Sequence, residues 1–280
     1  MEDAEDRFQY YHKVEEKIPC KIDWLNDVTN GGVSNKTFNL IIAGTHGGKS
    51  AMMINLACNN IEQGKNVLYI TLEMSEFEIS KRIDANLFDI DIDDVIKMDR
   101  KEYLKNVNLV KSKSHGKFII KEYPTASIDS RHIVKLLDEL KLKKNFKPDV
   151  IYIDYLNLLL SSKLKGSAAS NMYNYMKSIS EEIRRIAVEN NLPIWSATQF
   201  NRSGSKNEDA DMADISESFA VNFICDFSIA LINTEEMRKL NQILVKQLKN
   251  RYKDLNYKNK CILEFQRNKM KFLDIGVAPP

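Results

Sequence analysis

Phe38-Asn39-Leu40-Ile41-Ile42-Ala43-Gly44-Thr45-His46-Gly47-Gly48-Lys49-Ser50 decides the fold of this chain. Its first five residues read as a buried strand. A glycine-rich turn follows, and a helix opens at Gly48-Lys49-Ser50. This is the strand-turn-helix setting of a phosphate-binding loop. Glycines let backbone N–H groups close around phosphate oxygens where a Cβ would intrude. The helix N-terminus adds partial positive charge. Ala43, Gly44, Thr45, His46, Gly47, Gly48, Lys49, Ser50 and Ala51 are thus the expected nucleotide cradle. Lys49 is expected to reach the β- and γ-phosphates, and the Ser50 hydroxyl to bind Mg2+. Ala43 stands where the usual pattern begins with glycine.

Outward from the loop, Asp149-Val150-Ile151-Tyr152-Ile153-Asp154-Tyr155 is a run of apolar residues ending in an aspartate. It suits a strand buried in a parallel sheet. Open α/β sheets bind ligands at the carboxyl ends of their strands, so Asp154 is expected to hold Mg2+ through water. A strand over Asn66 to Leu72 ends at Glu73-Met74-Ser75, with Ser75 as N-cap of a helix to about Asn86. Another strand over Pro193 to Thr198 ends at Gln199. Helices are expected at Lys49 to Gln63, within 91–114, and over 128–144 and 171–190, with a strand at 118–123. The alternation implies a mostly parallel sheet with helices on both faces. Strand ends then bring Lys49, Glu73, Asp154 and Gln199 to one edge. Strands over 225–233, 242–249, 261–266 and 271–275 have short links, which favours antiparallel pairing at the C-terminal edge of the sheet.

Residues 18–37 read as irregular, with a turn at Gly31-Gly32. Before them, residues 3–17 read as a helix with a narrow stripe of Phe8, Tyr11 and Val14. It packs on its own domain or serves as an arm on a neighbouring subunit. The expected division is therefore a linker helix or arm over 1–18 and an ATPase domain over 19–280. Two polar stretches, 161–170 and 202–212, read as loops.

The 280 residues can bury a large core, and a net charge of +2 creates no global field that announces nucleic acid. Any basic surface must be local. The four cysteines are far apart and show no metal-ligand spacing, so a reduced intracellular setting is expected. The acidic N-terminus is no signal peptide, and no apolar run reaches membrane-spanning length. A cytoplasmic protein is the expectation.

These stretches together resemble the RecA-like P-loop ATPase domain of DnaB-type replicative helicases, closest to the T-even-like phage branch. The resemblance spans about Ile18 to Phe272, and Ala43 is typical of the family. Val67-Leu68-Tyr69-Ile70-Thr71-Leu72-Glu73-Met74 resembles the strand bearing the catalytic glutamate. Ile151-Tyr152-Ile153-Asp154-Tyr155-Leu156 resembles the Walker B strand, and Ser196-Ala197-Thr198-Gln199-Phe200-Asn201-Arg202 the sensor-glutamine motif. Lys246-Gln247-Leu248-Lys249-Asn250-Arg251-Tyr252 resembles the segment with a trans-acting lysine and arginine finger. The resemblance implies ATP and Mg2+ as cofactors, Lys49, Glu73, Gln199, Lys249 and Arg251 as catalytic, and Ser50 and Asp154 at the metal. It implies a homo-oligomeric ring, typically a hexamer, moving 5′ to 3′ on single-stranded DNA held by the two polar loops through Lys163, Lys165 and Arg202. Primase and a helicase loader are candidate partners. Two departures stand out: no room exists for the family's primase-interacting N-terminal domain, and Tyr252-Lys253-Asp254 replaces the glycine often found after the finger. The alternative is a RecA-type recombinase or another DNA-dependent ATPase forming filaments.

Overall fold

The computed structural model describes residues 16–165, 171–199 and 218–275, with helical backbone also at residues 4, 7 and 8. Most of the expected helix over 3–17, residues 166–170 of the first polar loop, and Arg202 with the loop 202–212 lie outside the described residues.

The amino-terminal half contains β1 (Lys17–Ile18), α1 (Asp23–Val28), β2 (Val33–Ser34), β3 (Phe38–Ala43), α2 (Lys49–Glu62), β4 (Val67–Thr71), α3 (Glu76–Phe88), α4 (Ile92–Lys97), α5 (Arg100–Lys113), β5 (Phe118–Glu122) and α6 (Ser130–Lys144). There follow β6 (Val150–Asp154), α7 (Met172–Asn190), β7 (Ile194–Gln199), α8 (Ser218–Ile224), β8 (Phe227–Ile232), α9 (Glu235–Lys239), β9 (Gln242–Asn250), β10 (Lys260–Gln266) and β11 (Lys271–Asp274). Residues 18–37 are more ordered than their sequence implies. They carry α1, and β1 pairs antiparallel with β2, Ile18 opposite Val33. Strands of two residues are too short to write a period-2 pattern, which is why the sequence reads as irregular there.

Among the described residues, nine strands form one sheet in the order β11-β10-β9-β8-β3-β7-β6-β4-β5. β8, β3, β7, β6, β4 and β5 run parallel. β9, β10 and β11 are antiparallel at one edge. The apolar strand runs alternate between two cores, as a sheet covered on both faces requires. Phe38, Leu40 and Ile42 enter one with α6 and α7, whereas Ile41 and Ala43 enter the other with α2 and α3.

α2 is buried on nearly every side, from Ala51 to Ile61. Two of its asparagines tie it to its neighbours. Asn55 Oδ1 accepts from Phe272 N at 3.2 Å, and Asn60 Oδ1 accepts from the Tyr152 hydroxyl at 2.6 Å. The helix that opens the phosphate loop is thereby clamped between the sheet, the β10–β11 hairpin and β1–β2. Ser75 caps α3 by accepting from Glu78 N at 3.2 Å. Among the described residues, no helix is long and apolar enough to cross a membrane.

Candidate active site

The phosphate loop owes its shape to particular residues. A Cβ on Gly47 would lie 2.8 Å from Ala43 Cβ and 2.9 Å from Gly44 O, so only glycine fits. Gly48 caps α2 at φ 94°, in the left-handed region. Lys49 is buried, and its Nζ donates to Gly44 O at 3.0 Å and Ala43 O at 3.5 Å. Burial pulls the Lys49 pKa down, and the negative charges of Glu73 and Asp154 oppose that shift.

Strand ends bring the acidic groups to this loop. Asp154 closes β6 and is fully buried. It accepts from Tyr69 OH at 2.9 Å and from Ser50 Oγ at 3.2 Å. Burial pushes its carboxyl up to about 6, while the Tyr69 and Ser50 hydrogen bonds hold it back. Glu73 follows β4 in a turn fixed by Thr71, whose hydroxyl donates to Met74 O at 2.7 Å and accepts from Met74 N at 3.1 Å. That turn leaves Glu73 exposed to the cleft. Gln199 ends β7, and its Nε2 donates to Tyr155 OH at 3.4 Å. The Tyr155 ring lies 5.9 Å from Lys49 Nζ. Burial raises the Tyr155 pKa, helped by the charges of Glu73 and Asp154.

Lys49, Ser50, Glu73 and Gln199 line a cleft of about 490 Å³. Its far wall has residues the sequence reading missed: Arg82, Asn233, Arg238, Phe265, Arg267 and Met270. The Arg267 guanidinium stacks on the Phe265 ring at 4.6 Å and donates to Asn233 Oδ1 at 3.2 Å. Its Nη1 and the Arg82 Nε are buried without a hydrogen-bond partner among the described residues. Burial lowers the Arg267 pKa, and nearby Arg238 lowers it further. Buried cationic donors without partners are costly unless an anion meets them. No spacing in the sequence joins positions 82, 238 and 267; only the fold does.

The cradle, the buried lysine, the Ser50–Asp154 pair and the orphaned arginine donors fit a nucleotide polyphosphate with its Mg2+. Ser50 would hold the metal directly and Asp154 through water. When bound, Mg2+ supplies positive charge against the β- and γ-phosphate oxygens.

Lys249 and Arg251 do not join this cleft. β9 is antiparallel to β8, so its last residues return to the end where β3 and β8 begin. Lys249 pairs with Ser228 and Asn250 with Phe227. The phosphate loop leaves β3 at the opposite end. Lys249 Nζ donates to Asn222 O at 3.0 Å and Phe223 O at 2.6 Å. Arg251 Nη1 donates to Asp226 Oδ1 at 2.5 Å. The turn after Arg251 needs no glycine. Asn250 Oδ1 accepts from Tyr252 N at 2.7 Å and Lys253 N at 3.1 Å, and Tyr252 OH accepts from Ser34 N at 3.2 Å. Lys253 and Lys258 then dock on Asp27 of α1 at 3.2 and 2.5 Å.

Lys163 and Lys165 are exposed on the loop after β6, at the carboxyl edge. The base of that loop is pinned by Glu182 of α7, which is buried. Glu182 accepts from Ser130 Oγ at 2.5 Å, Ser161 Oγ at 2.8 Å, Ser162 N at 3.0 Å and Ser178 Oγ at 3.3 Å.

Comparison with known proteins agrees with this architecture. The family model described as the DnaB-like helicase C-terminal domain matches residues 18–274. The chain is 38% identical over 278 residues to a DnaB-like replicative helicase of Enterobacteria phage T4, covering 98% of this chain and 58% of that protein. It is 27% identical over 189 residues to a "Probable replicative DNA helicase" of Trieres chinensis, covering 63% of this chain and 39% of the other. The chain thus spans under two thirds of the length of these curated relatives. A solved structure described as an ATPase domain superposes with a TM-score of 0.76 at 21% identity, covering 97% of this chain and 96% of that one. A DnaB-like replicative helicase, described with its primase interactions, superposes with a TM-score of 0.79 at 20% identity, covering 98% and 68%. The named relatives do not favour the recombinase alternative.

Proposed function

We propose, because the chain belongs to the family of DnaB-like helicase C-terminal domains, that it is the ATP-driven motor of a replicative DNA helicase. In this reading it moves 5′ to 3′ along single-stranded DNA as a ring, typically a hexamer. One observation carries the proposal: Lys49, Ser50, Glu73 and Gln199 line one cleft, while Lys249 and Arg251 lie at the opposite edge of the same sheet. A chain built this way offers a pocket on one side and cations on the other, which suits a ring of identical copies closing head to tail.

Each residue has a part in that chemistry. Lys49 neutralises the β- and γ-phosphates, and the cradle N–H groups orient them. Glu73, exposed at the cleft, accepts a proton from the attacking water as general base. Gln199, tied to Tyr155, is suited to detect the γ-phosphate. Arg82, Arg238 and Arg267 supply positive charge at the outer wall. Lys249 and Arg251 complete the site of the adjoining copy, where a finger supplied from outside is worth about 10³–10⁵ in rate. Lys163, Lys165 and Arg202 hold DNA phosphates, without reading bases. A primase partner belongs to the same proposal, supported by the structural neighbour described with primase interactions.

Mixing variants tests the cross-subunit role. A Lys49→Ala chain cannot hydrolyse ATP but still offers its finger, whereas an Arg251→Ala chain has a sound pocket and no finger. Their mixture should exceed the average ATPase of the two measured alone. Strict averaging in mixed assemblies, verified by tagged pull-down, would return Arg251 to an ordinary solvated edge residue.

A further inference from the structure

Asp226 immediately precedes β8 at the edge of the sheet opposite the phosphate loop, and its side chain takes no part in the nucleotide cleft. It is buried, at 5% exposure. Its Oδ2 accepts from Phe38 N at 3.0 Å and from Arg184 Nε at 3.2 Å. Its Oδ1 accepts from Arg184 Nη2 at 3.1 Å and from Arg251 Nη1 at 2.5 Å. The backbone is engaged as well: Asp226 N donates to Phe38 O at 2.8 Å, and Asp226 O accepts from Arg251 N at 3.1 Å. One residue therefore grips Arg251 by both its main chain and its guanidinium.

The two arginines differ in how they meet this carboxylate. Arg184 presents two nitrogens to it, the paired geometry that fixes a guanidinium plane. Arg251 commits one nitrogen and keeps half of its side-chain surface exposed, at 50%. Lys249 gives its ammonium to the carbonyls of Asn222 and Phe223. Among the described residues, Arg184, Lys249 and Arg251 thus stand around one buried carboxylate, that of Asp226. Glu181 and Glu189 line the same surface cleft, but they pair with Lys177 at 4.0 Å and Arg185 at 3.8 Å. Among the described residues the cluster keeps an excess of positive charge, which an anion on a facing surface would neutralise.

We propose that Asp226 is the positioning residue of Arg251, with Arg184 as its brace, holding the outward guanidinium in one orientation toward the nucleotide of an adjoining copy. This rests on the cross-subunit role of Arg251 proposed above. A free arginine side chain loses considerable rotamer freedom when it docks. One already seated on a buried, braced carboxylate has lost most of it in advance. Asp226 also holds the first residue of β3, so a structural role has to be separated from a positioning one.

The experiment uses the 280-residue chain and the variants Asp226→Asn and Arg184→Met. Asp226→Asn retains a sound phosphate loop, so KM for ATP should be unchanged. Its kcat should fall about 10- to 100-fold, the range for a catalytic group displaced by about 1 Å. Mixed with Lys49→Ala, which offers a well-seated finger, it should recover ATPase above the average of the two alone. Mixed with Arg251→Ala, which shares its defect, it should not recover. Arg184→Met leaves Asp226 bonded to Phe38 N and should give the same pattern in milder form, which decides the matter if Asp226→Asn melts below the assay temperature. Wild-type kcat in either folded variant, or recovery in the mixture with Arg251→Ala, overturns the proposal. Absence of recovery in the Lys49→Ala and Arg251→Ala mixture would instead overturn the cross-subunit reading beneath it.

Discussion

Glu182→Gln should destabilise the chain out of proportion to a change of one atom type. Glu182 is 1% exposed, and its charge is held by the hydroxyls of Ser130, Ser161 and Ser178 and by Ser162 N. Burial alone would raise its pKa, yet the hydrogen bonds from Ser130, Ser162 and Ser161 outweigh burial and hold it below the ordinary range. A hydrogen bond to a charged acceptor contributes about 1 kcal/mol more than a neutral one. The amide also puts donors where an oxygen accepted. Serine hydroxyls can rotate to meet it, but the Ser162 N–H cannot. Release from burying a charge offsets part of this loss, so the net is about 2–3 kcal/mol at neutral pH. In a chain of this size that lowers Tm by about 3–5 °C. The sign with pH follows from the depressed pKa. The stabilisation is present above the unfolded value, near ~4.3 for Glu, and is lost as pH falls through the folded value. Urea unfolding of both proteins should therefore show a gap that is full at pH ~7 and closes in acid. A gap below ~0.5 kcal/mol at neutral pH, or one that widens on acidification, would refute the reasoning.

Glu73→Gln should bind ATP nearly as wild type while hydrolysis collapses, since an amide cannot accept the proton; near-wild-type turnover would remove the general-base role. Arg267→Ala should weaken nucleotide affinity about 10- to 100-fold by deleting a partly buried charged donor, and calorimetric titration giving an unchanged Kd would exclude it from the site. Binding of single-stranded DNA should fall steeply with salt and show little sequence preference. Replacing both Lys163 and Lys165 by Ala should reduce the slope of log K against log salt by about 1.4, and an unchanged slope would take the two lysines off the DNA path.

Much of the site was legible because its parts are local. The phosphate loop lies in consecutive residues, where a strand, two constrained glycines and a helix start must follow one another. Glu73, Asp154 and Gln199 each end an apolar run, and parallel strands joined by helices bring such ends to one edge. The same rule made the mostly parallel sheet, with its antiparallel edge, readable from period and spacing alone. Tertiary structure decided what no spacing encodes. It inserted β7 between β3 and β6, and it built β1, α1 and β2 from a stretch without a visible pattern. It gathered Arg82, Arg238 and Arg267 on one wall, from positions far apart in the chain. It seated Arg251 on Asp226 and Glu182 among four serines, because side-chain hydrogen bonds between distant residues form only after the backbone has folded. The antiparallel return of β9 likewise carried Lys249 and Arg251 away from their own phosphate loop. Local sequence fixes turns and strand ends; which distant side chains then meet is set by how the layers pack.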